Sequence, residues 1–238
     1  MSDLRIALVA EGPTDKEIIQ SGLKAVLPRP FILTLLQPEP TFPQMGAGWC
    51  GVFKWCREFA ARTNGSLETD PTLPGFDLFL IHLDADVSER QYSDGGASIE
   101  SAARDLPKLP CSRPCPPPSD TAEEIRQRLL AWLNIEKPGP RTVLCVPSKA
   151  IEAWLAVGVL DGKHALLKDI ECNLNVEARL RSLPLSSRIR KTVREYQRHA
   201  QTLTANWSVV SAGCTQAARF EREVSAALAQ ATATLTVG

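Results

Sequence analysis

The sequence lacks a net charge: 27 Lys and Arg stand against 27 Asp and Glu. That excludes a protein that grips nucleic acid by bulk positive charge, and equally a polyacidic tail. It leaves the distribution of charge open. A long apolar run is also missing. The longest, Ala153 to Leu160, has eight residues with Gly158 inside it, against about 20 for a membrane span. The first apolar stretch stops at Glu11, too early for a signal-peptide core. There is no Gly-x-x-x-x-Gly-Lys-Ser/Thr phosphate loop, which excludes a resident ATPase of that type. No serine lies in a Gly-x-Ser-x-Gly elbow. No internal repeat is present. Cys111 and Cys115, like Cys50 and Cys56, lack the two-residue spacing of most zinc knuckles. Seven cysteines, an odd number, read as reduced thiols. The expectation is a cytoplasmic protein with no membrane association.

What is present is enough chain for a substantial core. At 238 residues it suggests one large domain, or one domain with an appendage. A chain of this size buries about 70% of its unfolded surface. Residues 4–10 read as a buried strand that ends in Glu11-Gly12-Pro13. Thr14 and Glu17 have the spacing of a capping box, and Ile18, Ile19, Leu23 and Val26 give the next helix an apolar face. Phe31 to Leu36 reads as a second strand, followed by a Pro/Gly-rich loop to Gly51 and a helix from Val52 to Arg62. Phe76 to Leu83 is the strongest strand signal, and it runs into Asp84-Ala85-Asp86. Residues 87–119 read as loop with some helix near Ser98 to Leu106. A helix follows from Asp120-Thr121 to about Leu133, with a second capping spacing at Thr121 and Glu124. Arg141 to Val146 reads as a strand, and the next helix carries Ile151, Glu152, Trp154 and Leu155. Beyond about residue 165 the pattern is mostly helical.

The alternation of strand and helix predicts an α/β fold with a mainly parallel central sheet flanked by helices. The expected organisation is an α/β domain over 1–162 and a helical C-terminal appendage over 163–238.

In such a sheet, ligands sit outside the carboxyl ends of the strands. Acids gather there. Glu11 ends the first strand and Asp84 and Asp86 end the third. Glu152 opens the helix after the fourth, and Asp15 lies in the first turn after Glu11. Carboxylates crowded on one edge repel one another without a cation, and hard divalent cations take oxygen ligands. Side chains at i and i+2 share a face while a strand persists, so Asp84 and Asp86 are expected to face one metal. Gly12 lets the backbone turn sharply. Each feature also has a plain structural role. Asp-x-Asp is common on surfaces, and an acid at Asp15 favours the helix dipole. Glu152 could be solvent-facing, though Ile151 and Trp154 argue for partial burial. His82 reads as a core or flanking residue, His164 and His199 as surface residues, and Trp154 as core packing.

Glu11-Gly12 after the first strand and Asp84-x-Asp86 after the third resemble the Toprim domain of primases, topoisomerases, small ribosomal-RNA maturases and OLD-type (overcoming lysogenization defect) nucleases. The string Val-Ala-Glu11-Gly-Pro-Thr-Asp15-Lys-Glu-Ile-Ile is most similar to the OLD-type nucleases and their small stand-alone bacterial relatives. Pro-Ser-Lys-Ala-Ile-Glu152-Ala-Trp-Leu is also similar to a segment of those relatives. The resemblance covers roughly 4–160. It implies a Mg²⁺- or Mn²⁺-dependent phosphodiesterase with Glu11, Asp84 and Asp86 on the metal. The same resemblance implies that Asp15 and Glu152 would complete a second site. The missing phosphate loop departs from OLD-type enzymes, which usually carry their ATPase in the same chain. An ABC/AAA-type ATPase partner encoded separately is therefore expected, as in two-gene bacterial anti-phage defence systems.

The cations needed to face a phosphate backbone are concentrated in one place. From Arg179 to Arg198 seven positive residues meet one acid, Glu195, for a net +6. Residues 66–100 run the other way, with eight acids against Arg90, net −7. In a helix, Arg190, Arg194 and Arg198 would line one face, and Arg188 would join them on nucleic acid. The same run also suits a solvated helix face. One cation near the scissile phosphate stabilises developing charge. Lys191 is preferred for that role over Lys149. The expected activity is nuclease cleavage of DNA or RNA. The alternative from another class is a non-catalytic regulatory or scaffold subunit of an ATPase complex.

Overall fold

The computed structural model describes residues 3–39, 45–63 and 66–235, with side chains through 232. Four parallel strands form one sheet: β1 (Leu4–Val9), β2 (Phe31–Gln37), β3 (Leu78–His82) and β4 (Thr142–Cys145). The spatial order is β2-β1-β3-β4. Ile6 pairs with both Leu33 and Leu78, and Leu80 pairs with Val143, so the strand ends are nearly level. This is the expected α/β architecture.

The order makes the chain reverse direction. From β1 it steps outward to β2, then crosses back over β1 to β3 and on to β4. Right-handed crossovers in opposite directions place their helices on opposite faces. Accordingly, α1 (Pro13–Val26) covers one face, while α2 (Gly48–Arg62) and α4 (Ser119–Leu133) cover the other. Between β3 and α4 lie short 3₁₀ turns at Ala85–Glu89 and Tyr92–Gly95 and the helix α3 (Ala97–Ala102).

Both faces of the sheet are buried, so every residue of β3 and β4 is apolar or enclosed. Alternation still sorts them. Leu4, Ile6, Leu8, Leu78, Leu80, Val143 and Cys145 face the α1 layer, and Ala7, Val9, Phe79, Ile81 and Leu144 face the α2/α4 layer.

The C-terminal helices are α5 (Glu152–Val159), α6 (Val176–Arg181), α7 (Val193–Ala205), α8 (Trp207–Gly213) and α9 (Thr215–Leu235). The helices beyond residue 162 are a layer of the fold rather than an appendage. Their buried residues, among them Tyr196, Trp207, Val210, Phe220 and Val224, share one continuous core with β1, β3, α1 and α5. Trp154, Trp207 and Phe220 meet with ring centroids 5.6–6.1 Å apart, which confirms Trp154 as core. Gly22 of α1 allows this packing. A Cβ there would lie 2.7 Å from the Trp207 ring.

Several local expectations are corrected. The N-cap of α1 is Gly12, with Pro13 as the first helical residue, so Thr14 is already inside the helix and its capping box with Glu17 does not form. Glu17 accepts instead from Gln197 of α7. Helix α4 begins at Ser119, so Thr121 is also inside; its hydroxyl binds Arg113 and ties down the Pro-rich segment. The loop expected up to Gly51 falls partly on residues 40–44, outside the described residues, and its end is helix, because α2 starts at Gly48. The reading of seven free thiols is also corrected. Cys115 and Cys172 form a disulfide, and Cys50, Cys56, Cys111, Cys145 and Cys214 are free. No helix among the described residues is long and apolar enough to cross a membrane.

Candidate metal centre at the carboxyl edge of the sheet

The reversal of direction between β1 and β3 creates a crevice at their carboxyl ends. Glu11 and Asp84 each lie two residues beyond their strands, on these two adjacent central strands. They are in direct contact. The backbone N–H of Asp84 donates to Glu11 Oε1 at 2.8 Å. Asp84 Oδ1 in turn accepts from the N–H of Ile151 at 2.9 Å, which joins the β4–α5 loop to the same point. The backbones of the two loops continue the strand pairing, with Ala85 N–H to Pro147 O at 3.1 Å and Asp86 N–H to Lys149 O at 2.9 Å. Lys149 turns this loop in the left-handed region at φ 61°. Such strain in a non-glycine residue collects at functional sites.

Asp15 lies in the first turn of α1, buried, where the Gly12 N–H and the helix dipole favour its carboxylate. Asp86 falls in the 3₁₀ turn, half-buried, because the strand stops at His82. The i, i+2 argument therefore does not apply to Asp84 and Asp86. The residue that β3 alternation points toward Asp84 is His82, whose expected place was the core or its flank. It is fully buried. Its Nδ1 is 3.9 Å from Asp15 Oδ2 and its Nε2 is 3.3 Å from Asp84 Oδ1. Neither ring nitrogen makes a hydrogen bond, because the approach to Asp84 is close but badly angled. The signal for it was its place two residues before Asp84, on the same face of a strand.

The electrostatics follow from burial and crowding. Burial first, then the charge of Asp84, holds Glu11 well above the usual carboxylate range. Asp84 is also pushed well up, by burial and then by Glu152, Asp15 and Asp86, with Lys191 opposing. Burial raises Asp15 against the pull of His82 and Lys191. It raises Asp86 against Arg90 and Lys191. These acids repel one another as neighbours.

Glu152 is deeply buried at the start of α5. Its Oε1 takes Lys191 Nζ at 2.8 Å and the Tyr196 hydroxyl at 3.0 Å. Lys149 is committed elsewhere, to Glu89 at 2.8 Å. The two candidate cations thus have different partners: Lys191 pairs with Glu152 and acts on Asp15, Asp84 and Asp86, while Lys149 pairs with Glu89 and acts on Asp86.

Of the basic run, Arg194 and Arg198 lie one turn apart on one face of α7. Arg190 precedes that helix, so the expected three-arginine face is reduced to two. Arg190, Arg194 and Arg198 are exposed, Arg198 pairing with Glu195 at 3.0 Å, and Arg188 is half-buried against Leu183 O at 3.2 Å. The acidic stretch 66–100 is not one surface. Glu68 binds Arg141 and Thr142, Asp70 binds Arg62, and Asp77 binds the Arg5 N–H.

The donor chemistry fits a hard divalent cation: oxygen ligands, mutually repelling, at a switch point. The hydrogen bonds named leave Glu11 Oε2 and Asp84 Oδ2 uncommitted. The arrangement as it stands is open, however. Among the described residues no three His, Cys, Asp or Glu side chains converge closely enough to hold one ion. Mutual repulsion acts over longer distances than coordination, so the acids are neighbours without being a closed sphere. A groove of about 420 Å³ lies at the other end of the sheet, lined by Gln20, Lys24, Arg29 and Phe31, and holds none of these acids. Comparison with protein-family models, curated proteins and solved structures finds no match to this chain.

Proposed function

We propose that this chain is a Mg²⁺- or Mn²⁺-dependent nuclease of Toprim type, hydrolysing phosphodiester bonds of DNA or RNA. The observation that supports this most is the contact between Glu11 and Asp84 at the switch point, with Asp15 and Asp86 beside them. Glu11, Asp84 and Asp86 would hold the cation, and Asp15 would serve a second. A cation bound there supplies Lewis acidity and a water of lowered pKa. Lys191 binds a phosphate oxygen and offsets its developing charge. Arg188, Arg190, Arg194 and Arg198 hold the flanking backbone. A separately encoded ABC/AAA-type ATPase belongs to this proposal as its regulator.

The test is cleavage of plasmid and RNA by purified protein with Mn²⁺ or EDTA, beside Asp84→Ala. Cleavage is expected with Mn²⁺ and lost with EDTA and in the variant. Equal cleavage by Asp84→Ala refutes the assignment. The open arrangement of the acids favours one second reading, a non-catalytic scaffold subunit of an ATPase complex. Thermal stabilisation by millimolar Mn²⁺ supports the nuclease, and no shift supports the scaffold.

A further inference from the structure

Glu152 is held differently from the other acids. One of its oxygens accepts both the Lys191 ammonium and the Tyr196 hydroxyl. A buried carboxylate is tolerated when it is both paired and hydrogen-bonded, and Glu152 is both. A cation at that oxygen would have to share it with an ammonium 2.8 Å away. The local sequence builds this arrangement. Thr192 caps α7 by accepting from the Glu195 N–H at 3.2 Å. Lys191, just before the cap, and Tyr196, four residues after it, therefore reach the same carboxylate. Tyr196 is 2% exposed and the Lys191 side chain is 34% exposed, so a partly exposed lysine rests on a buried support. Its charge acts on Asp15, Asp84 and Asp86. An ammonium carries three donor protons, so one paired with Glu152 can also meet a ligand.

We infer that Glu152 and Tyr196 are positioning residues: Glu152 fixes the Lys191 ammonium beside the acid edge to meet a phosphate oxygen, and Tyr196 fixes Glu152. This rests on the nuclease reading and makes Glu152 a counter-ion instead of a metal ligand.

Three measurements on Glu152→Gln and Tyr196→Phe test it. The first is hydrogen exchange at the Lys191 ammonium, read by NMR of protein carrying ¹⁵N-lysine. Slow exchange in the wild type and faster exchange in both variants support the inference. Exchange unchanged in Tyr196→Phe overturns it. The second is Mn²⁺ affinity by calorimetry. Unchanged affinity in Glu152→Gln, with loss in Asp84→Asn, supports it. A tenfold or larger loss in Glu152→Gln, on the scale of a lost ligand or its support, overturns it. The third is turnover, where Tyr196→Phe is expected to lower kcat about tenfold with KM unchanged. Unchanged kcat also overturns the inference. If the wild type cleaves nothing, the nuclease reading fails, and the exchange and affinity measurements still decide the positioning. Tyr196→Phe keeps the ring packed, so it covers the case in which Glu152→Gln does not fold.

Discussion

Asp84 is where burial, repulsion and the proposed chemistry meet. Asparagine there keeps an oxygen for the Ile151 N–H and removes one repelling charge. The expected outcome is a metal-free protein more stable by about 1 kcal/mol at neutral pH, measured by urea denaturation, with cation binding lost. The pH dependence has a definite sign. Glu11 and Asp84 have folded pKa values raised above their unfolded ones. Their contribution is therefore fully present below the unfolded values, about 3.9 for Asp and 4.3 for Glu, and is lost as pH rises through the raised folded values. The stability gap between Asp84→Asn and the wild type should widen as pH rises from about 4 to neutrality. A gap that stays constant with pH contradicts the burial account. Glu11, Asp15 and Asp84 were legible in the sequence because acids at strand ends and in first turns have a fixed place in an α/β sheet. His82 was not read as part of the site, since a lone histidine in an apolar strand matches a core residue equally well. The partners of Glu152 were hidden too, because they lie some forty residues away in the chain.

The strands and principal helices were legible from apolar runs and punctuation, and their boundaries shifted by a few residues. Capping was misread where a helix began earlier than its Thr-x-x-Glu spacing, at Thr14 and Thr121. The C-terminal helices showed their type but not their place, because a helix's apolar face does not reveal what it packs against. Gly22 tests that packing. Gly22→Ala forces the Cβ into the Trp207 ring, and a loss of roughly 1–3 kcal/mol is expected by chemical denaturation. A neutral result would mean α8 does not seat on α1. The disulfide joins the segment before α4 to the turn before α6 across 57 residues. Closing a loop of that length removes about 4 kcal/mol of denatured-state entropy in the chain-entropy model. Reduction, or Cys115→Ser, should lower the thermal midpoint. An unchanged midpoint would show that the crosslink does not constrain the unfolded chain.

At the scale of the molecule, the charge balance of 27 against 27 conceals a specific layout. The acidic stretch disperses, since Glu68, Asp70 and Asp77 serve local hydrogen bonds and ion pairs, while Asp84 and Asp86 join Glu11 and Asp15 at one edge. The basic run meets that edge through Lys191 and otherwise presents arginines to solvent. If these arginines bind nucleic-acid phosphates, Arg190→Ala and Arg194→Ala should each weaken oligonucleotide binding across sequences. Each should also lower the slope of log affinity against log salt by about one. An unchanged slope would remove them from the interface. The proposed function makes the acid edge a divalent-cation site. Calorimetric titration of Mn²⁺ onto the wild type and Asp84→Asn tests it most directly. Saturable binding in the wild type, absent in the variant, is the predicted result. No binding, or equal binding by both, contradicts it.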